Sequence, residues 1–164
     1  IIGNLFEKSL VNLDKNLDYE INTYKINIKG VVQKKGTPYL KQTFTCKINT
    51  VLKNSKIDLL NITIRGVKQD NDSYLTYAKE NVFGFVLLFN QKKTGEQENE
   101  MKILTNQLVD IALKNEGTFY LPYRLHINKS KMRKSYPNAD QFFKLKLKYD
   151  PDEIFNNKFY EHYK

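Results

Sequence analysis

Cysteine is nearly absent from this chain of 164 residues: Cys46 stands alone. It cannot close an internal disulfide and has no histidine or second cysteine at metal-ligand spacing. A cysteine-based zinc site is thereby excluded, and the residue reads as a small, partly buried side chain. Long apolar runs are missing too. The longest, Val82 to Phe89, has eight residues with Gly84 inside it, well short of the ~18 that a membrane-spanning helix needs. There is no Gly-rich phosphate loop, no GxSxG elbow, no HExxH pair and no Cys/His cluster, and the two histidines, His126 and His162, stand far apart. Self-contained catalysis is therefore not expected. The chain opens on Ile1 and Ile2 with neither an initiator methionine nor a charged leader followed by an apolar stretch. No secretory signal is read there, and such a start suggests a piece of something larger, with a soluble, cytoplasmic setting as the expectation.

What is present fits one domain able to bury a core without disulfide or metal staples. The formal net charge is +9, which attracts phosphate polymers and anionic membranes. Much of the excess lies between Thr118 and Lys164, where ten Lys and Arg face five Asp and Glu. These cations are scattered along helical stretches rather than massed in blocks, as on solvated helix faces. The same segment holds three of the four prolines and a dense set of aromatics. A disordered tail is poor in aromatics, so this one is expected to fold.

Periodicity predicts a short helix over Asn4 to Leu13, then a strand from Tyr19 to Ile28 ended by Gly30 and the Lys34-Lys35-Gly36 turn. Tyr39 to Thr45 reads as a strand, Lys47 to Asn54 as a helix turning Ile48, Val51 and Leu52 inward, and Ile57 to Val67 as a strand. In that strand Leu60, Ile62 and Ile64 share one face, while Asn61, Thr63 and Arg65 share the other. Tyr74 to Ala78 reads as extended. Asn81 to Asn90, apolar on both parities, reads as a central strand covered on both faces. The clearest helix is Glu98 to Asn115, with Met101, Leu104, Leu108, Ile111 and Ala112 at helical spacing, acidic residues at its start and Gly117 past its end. A short strand at Gly117 to Leu121 completes the order. Helices at Ser130 to Tyr136, capped by Asn128, and at Asn138 to Lys148, burying Phe142, Leu145 and Phe143, follow, with Asp150-Pro151 as a stop. The class is α+β: an antiparallel sheet with a ferredoxin-like β-α-β-β-α-β core, helices on one face and additional C-terminal helices.

Six stretches in this order carry a resemblance: NITIR at Asn61 to Arg65, YAKENVFGFVLLFNQ at Tyr77 to Gln91, FYLPYRLH at Phe119 to His126, SYP at Ser135 to Pro137, FFKLKLKYDP at Phe142 to Pro151 and IFNNKFYEHY at Ile154 to Tyr163. Together they resemble the C-terminal region of FAD-linked oxidases of the vanillyl-alcohol oxidase superfamily, the aldonolactone and alditol oxidase type in particular. The resemblance covers residues 38 to 163. It implies that residues 38–164 form the substrate, or cap, domain and residues 1–37 an extension or linker. It also implies that FAD and a separate FAD-binding domain of the same protein are the missing partners. The cap alone would then be inactive.

If Leu60, Ile62 and Ile64 pack on the helices, then Asn61, Thr63 and Arg65 lie on the sheet face that such enzymes turn toward flavin and substrate. Arg65 would bind a polar substrate or stabilise negative charge on the reduced flavin. Tyr120, on the same alternation as Thr118, would orient a small-molecule substrate with its hydroxyl, and Tyr77, Tyr123, Arg124 and His126 join as substrate-binding candidates. The resemblance places Asn156 and Asn157 where a cofactor would be reached. For the tyrosines the competing role is amphipathic packing, and for Arg65 it is pairing with a surface carboxylate. Two other functions compete: a basic module binding nucleic acid on its open sheet, and a stand-alone protein-interaction domain derived from such a cap. VFGFVLLF at Val82 to Phe89 matches the RNA-recognition pattern only in part and lacks its leading basic residue, which counts against the first.

Overall fold

The computed structural model describes residues 19–29, 31–32, 38–39 and 42–164, with side chains from Lys47 onward. The expected helix at Asn4 to Leu13 and the turn at Gly30 and Lys34 to Gly36 fall outside these residues. So does the side chain of Cys46.

The fold is α+β. A four-stranded antiparallel sheet is built from β1 (Tyr19–Lys29), β4 (Asp58–Val67), β5 (Val82–Lys92) and β6 (Thr118–Phe119), in the order β4-β5-β1-β6. A separate pair joins β2 (Val31–Val32) to β3 (Pro38–Tyr39). Helix α1 (Gln42–Asn54) connects to β4, and α2 (Gly95–Lys114) links β5 to β6. Each of these two crossovers steps over one intervening strand.

The first strand of the sheet is thus Tyr19–Lys29 and not Tyr39 to Thr45, whose residues from Gln42 onward are helical. β1 pairs along its whole length with β5, from Tyr19 opposite Lys92 to Lys29 opposite Val82. A domain boundary at residue 38 would therefore cut through the sheet. Threonine and phenylalanine in QTFTCK suit a strand by propensity, yet α1 buries Ile48 and Leu52 against α2 and the sheet. Packing of that stripe outweighs the local preference, which is worth only fractions of a kcal/mol per residue.

β5 separates two faces. Phe85, Leu87, Phe89 and Gln91 are buried, whereas Val86, Leu88 and Asn90 are half-buried. The strand is central: α1 and α2 cover the side of Phe85, Leu87 and Phe89, and on the other side Val82 and Gly84 are buried as well. On the helix side Phe85, Leu87 and Phe89 join Ile48 and Leu52 of α1, and Met101, Leu104, Leu108 and Ala112 of α2, in one core. β4 contributes Ile64 opposite Phe85 and Ile62 opposite Leu87. Between Leu59 and Asn61 the register slips, so that Leu59, not Leu60, stands opposite Phe89 and packs on the core. Such a bulge inserts one residue and inverts the alternation beyond it.

Helix α2 starts three residues before the expected Glu98 because the Thr94 hydroxyl accepts the Gln97 N–H at 3.3 Å. Its end is a Schellman turn: Gly117 N–H donates to the Ala112 carbonyl at 2.8 Å and Glu116 N–H to that of Leu113 at 3.2 Å. Glu116, at φ 56°, rather than Gly117, takes the left-handed position. Residues 74–78 are an irregular part of the loop between β4 and β5, not an extended piece.

The closing segment folds, as its aromatic content predicts. It forms α3 (Lys129–Ser135), α4 (Ala139–Tyr149) and α5 (Lys158–Tyr163). Asn128 caps α3 by accepting the Lys131 N–H at 2.9 Å. Met132, Tyr136, Ala139, Phe143, Tyr160 and Tyr163 extend the main core, and the buried Tyr136 hydroxyl donates to the Phe119 carbonyl. In α4 the anchor is Phe143, with Phe142 half-buried and Leu145 exposed. No helix among the described residues is long and apolar enough to cross a membrane.

Candidate functional site

The residues singled out in the sequence fall into three groups in space. The first lies on the sheet face away from α1 and α2. Because opposed residues of an antiparallel pair share a face, Asn61 opposite Leu88, Thr63 opposite Val86 and Arg65 opposite Gly84 stand together there. The register continues from Gly84 to Asn27 and from Asn27 to Thr118, a single row across all four strands. In that row Arg65 is exposed, while Gly84, which contributes no side chain, and Thr118 are buried.

Around the row stand three tyrosines. The Thr118 hydroxyl donates to the Tyr77 carbonyl at 2.6 Å, tying the β4–β5 loop to β6. The Tyr77 and Tyr120 rings meet edge to face at 5.4 Å, and those of Tyr120 and Tyr123 at 5.3 Å, a geometry that aligns ring edges with ring faces. Burial, then the neighbouring Tyr120, pushes the Tyr123 phenol above its ordinary value, while the nearby Arg65 charge pulls it down. At neutral pH Tyr123 is a protonated hydroxyl beside a cation. Arg65 is exposed, and among the described residues it makes no hydrogen bond or ion pair. Arg65, Tyr77, Tyr120 and Tyr123 thus form one cluster, with Thr63 half-buried beside it and Asn61 exposed further along β4.

The loop that carries Tyr77 is held in several places. The Asp70 carboxylate accepts the N–H groups of Asp72 at 3.0 Å and Ser73 at 3.1 Å. Hydrogen bonding to Ser73 is the main reason its pKa falls to about 2. Asp70 N–H donates to the Ala78 carbonyl at 2.9 Å, and the Asn138 amide reaches the Tyr74 carbonyl from α4.

Arg124 and His126 belong elsewhere. The Arg124 guanidinium donates to Glu98 Oε2 at 2.7 Å and to Gln91 Oε1 at 3.1 Å. The His126 ring meets Glu98 Oε1 through Nε2 at 2.8 Å and the Thr105 hydroxyl through Nδ1 at 3.4 Å. Gln91, 1% exposed, also donates to Glu98 Oε2 at 3.0 Å. Burial pulls the His126 imidazole below its ordinary value, against Glu98, which draws it upward. Burial pushes Glu98 up, but hydrogen bonds from Gln91 and His126 and the charge of Arg124 outweigh it and hold the carboxyl below its usual range. Glu98 reads in the sequence only as an acid at a helix start. Its partners lie 7 to 28 residues away along the chain, and no local pattern links them.

Asn156 and Asn157 form the third group, and both serve α5. Asn157 Oδ1 caps the helix by accepting the Tyr160 N–H at 2.9 Å. Asn156 accepts the Asn157 N–H at 2.8 Å and donates to Glu161 at 3.1 Å. Just before them the Asp150 carboxylate, paired with Lys146 at 2.7 Å, accepts the N–H groups of Ile154 at 2.9 Å and Phe155 at 3.0 Å. This built turn holds Phe155 81%, Ile154 75% and Tyr149 76% exposed.

Among the described residues no group of His, Cys, Asp and Glu is arranged to hold a metal ion. Compared with known proteins, the chain matches no family model and no curated protein.

Proposed function

We propose that this chain is the substrate-facing half of an FAD-dependent oxidoreductase that oxidises a hydroxylated, sugar-like compound, with the flavin held by another domain. The observation that carries the reading is the gathering of Arg65, Tyr77, Tyr120 and Tyr123 on the sheet face away from α1 and α2. One exposed guanidinium and a cluster of phenols suit a ligand rich in hydroxyl groups: the phenols donate and accept hydrogen bonds, and the cation faces oxygen atoms that gain negative charge. When bound, flavin supplies the hydride acceptor. This chain's part is to bind and orient the carbon to be oxidised and to keep water from it.

The donor set fits contact with such a ligand better than the holding of flavin. Asn156 and Asn157 commit their side chains to α5, so cofactor binding is assigned to the partner domain. The turn presenting Tyr149, Ile154 and Phe155 supports the same division of labour, because a rigidly built turn that exposes large apolar side chains suits an interface.

Purifying the protein from its complete reading frame tests the reading. A bound flavin bleached anaerobically by a polyol or aldonolactone is expected, with bleaching at least tenfold slower in Arg65→Met. A colourless product that retains single-stranded RNA in a salt-dependent way would overturn it in favour of a nucleic-acid module.

A further inference from the structure

Arg124 and His126 meet at Glu98 and hold the chain segment that carries Tyr120 and Tyr123. After Phe119, opposite Ile26 of β1, the chain carries Tyr120 and Tyr123 before Arg124 reaches Gln91 at the far end of β5. The segment is fixed at its start by strand pairing and the Tyr136 hydroxyl on the Phe119 carbonyl. Beyond the tyrosines it is fixed by Arg124 and His126, whose shared anchor is the Glu98 carboxylate. The Asn106 amide on the His126 carbonyl at 3.0 Å and the His126 N–H on that of Arg124 at 2.9 Å complete the hold.

We propose that Glu98 is a positioning residue, a carboxylate hub that sets where Tyr120 and Tyr123 stand relative to Arg65 by clamping the segment at Arg124 and His126. The importance of that placement for substrate rests on the proposed function; the placement itself does not.

The hub is sensitive to acid. Among the described residues, the charged groups acting on His126 include Glu98 and Lys102 of α2 and Arg124 of its own segment, with Thr105 and Asn106 as neutral neighbours. Charging a ring whose side chain is 8% exposed, beside Arg124 and Lys102, is opposed by burial and by both cations. Both His126 and Glu98 are held below their ordinary values, so by linkage the folded arrangement loses stability as pH falls from each ordinary value through the depressed one, in the histidine's range first and the carboxylate's after it.

NMR of the ring signals of Tyr120 and Tyr123 and of the two histidines, in the full chain without flavin or substrate, tests the proposal. In Glu98→Gln the His126 titration moves to lower pH, and the Tyr120 and Tyr123 rings shift while those of Tyr160 and Tyr163 stay in place. Glu98→Asp restores part of both effects. Unchanged Tyr120 and Tyr123 rings in Glu98→Gln would overturn the proposal, even with His126 shifted, because Glu98 would then serve only its own neighbours. Should Glu98→Gln fail to fold, acid titration of the unsubstituted chain gives the same test: ring shifts that track His126 support the hub, and rings that ignore it refute it. Neither result depends on flavin binding, so failure here is distinguishable from failure of the oxidoreductase reading.

Discussion

The two faces of the sheet are made from the same strands and behave as two different materials. Leu87 and Leu88 are chain neighbours with the same side chain, yet Leu87 is fully buried against α1 and α2 while Leu88 is half-buried beside Asn61. One face spends its apolar area on stability. The other carries a cation, Arg65, and two polar side chains, Asn61 and Thr63, of which Arg65 and Asn61 are exposed. An alternation of one residue decides which role a side chain has.

The sharpest way to break this comparison is to truncate the two leucines separately. Leu87→Ala should cost about 3–5 kcal/mol in urea unfolding, because it opens a cavity in the packed core. Leu88→Ala should cost roughly half of that or less, since its side chain is only half-buried. Equal costs would mean the faces are not distinct.

Tyr136→Phe tests how firmly β6 is tied to the closing segment. It leaves the Phe119 carbonyl without the Tyr136 donor, and a loss of about 1–2 kcal/mol in thermal or urea unfolding is expected.

The next prediction concerns acid. Asp150 is held below the usual carboxylate range chiefly by Lys146 and, beyond the opposing effect of burial, by the N–H groups of Ile154 and Phe155. A depressed carboxyl contributes stability that is present above its unfolded value and lost as pH falls through the folded one. Amide exchange at Ile154 and Phe155, corrected for its intrinsic pH dependence, should therefore accelerate below the ordinary carboxylate range, and Asp150→Asn should make it fast at every pH.

The smallest effect on folding is predicted for Arg65, which is exposed. Arg65→Met should leave stability within about 0.5 kcal/mol. It should nevertheless raise the Tyr123 titration further, because the guanidinium is what pulls that phenol down. A Tyr123 signal indifferent to Arg65 would separate the two residues and dissolve the cluster.

Most helices and strands were legible because their apolar spacing is strong. Met101, Leu104, Leu108, Ile111 and Ala112 mark α2, and all five are buried. The run around Asn128 reads as a cap and is one. The alternation of Asn61, Thr63 and Arg65 holds, and it puts the three on the sheet face away from α1 and α2. The misreadings have local causes. Tyr39 to Thr45 is rich in strand formers, but from Gln42 onward helix packing prevails. Leu60 loses its expected place to a bulge that no residue type announces. In the candidate site, Tyr77, Tyr120, Tyr123 and Arg65 come together, while Arg124 and His126 separate from them into the Glu98 hub.

By itself the sequence determined the α+β class, the amphipathic faces of β4 and α2, and the folding of an aromatic closing segment, because each follows from side-chain chemistry at short range. Only the tertiary structure decided that Tyr19–Lys29 lies inside the sheet, which side of β5 faces α1 and α2, and which polar groups meet at Glu98. Those depend on pairings between segments distant in the chain, whose register is set by the packing of the whole and not by any one stretch.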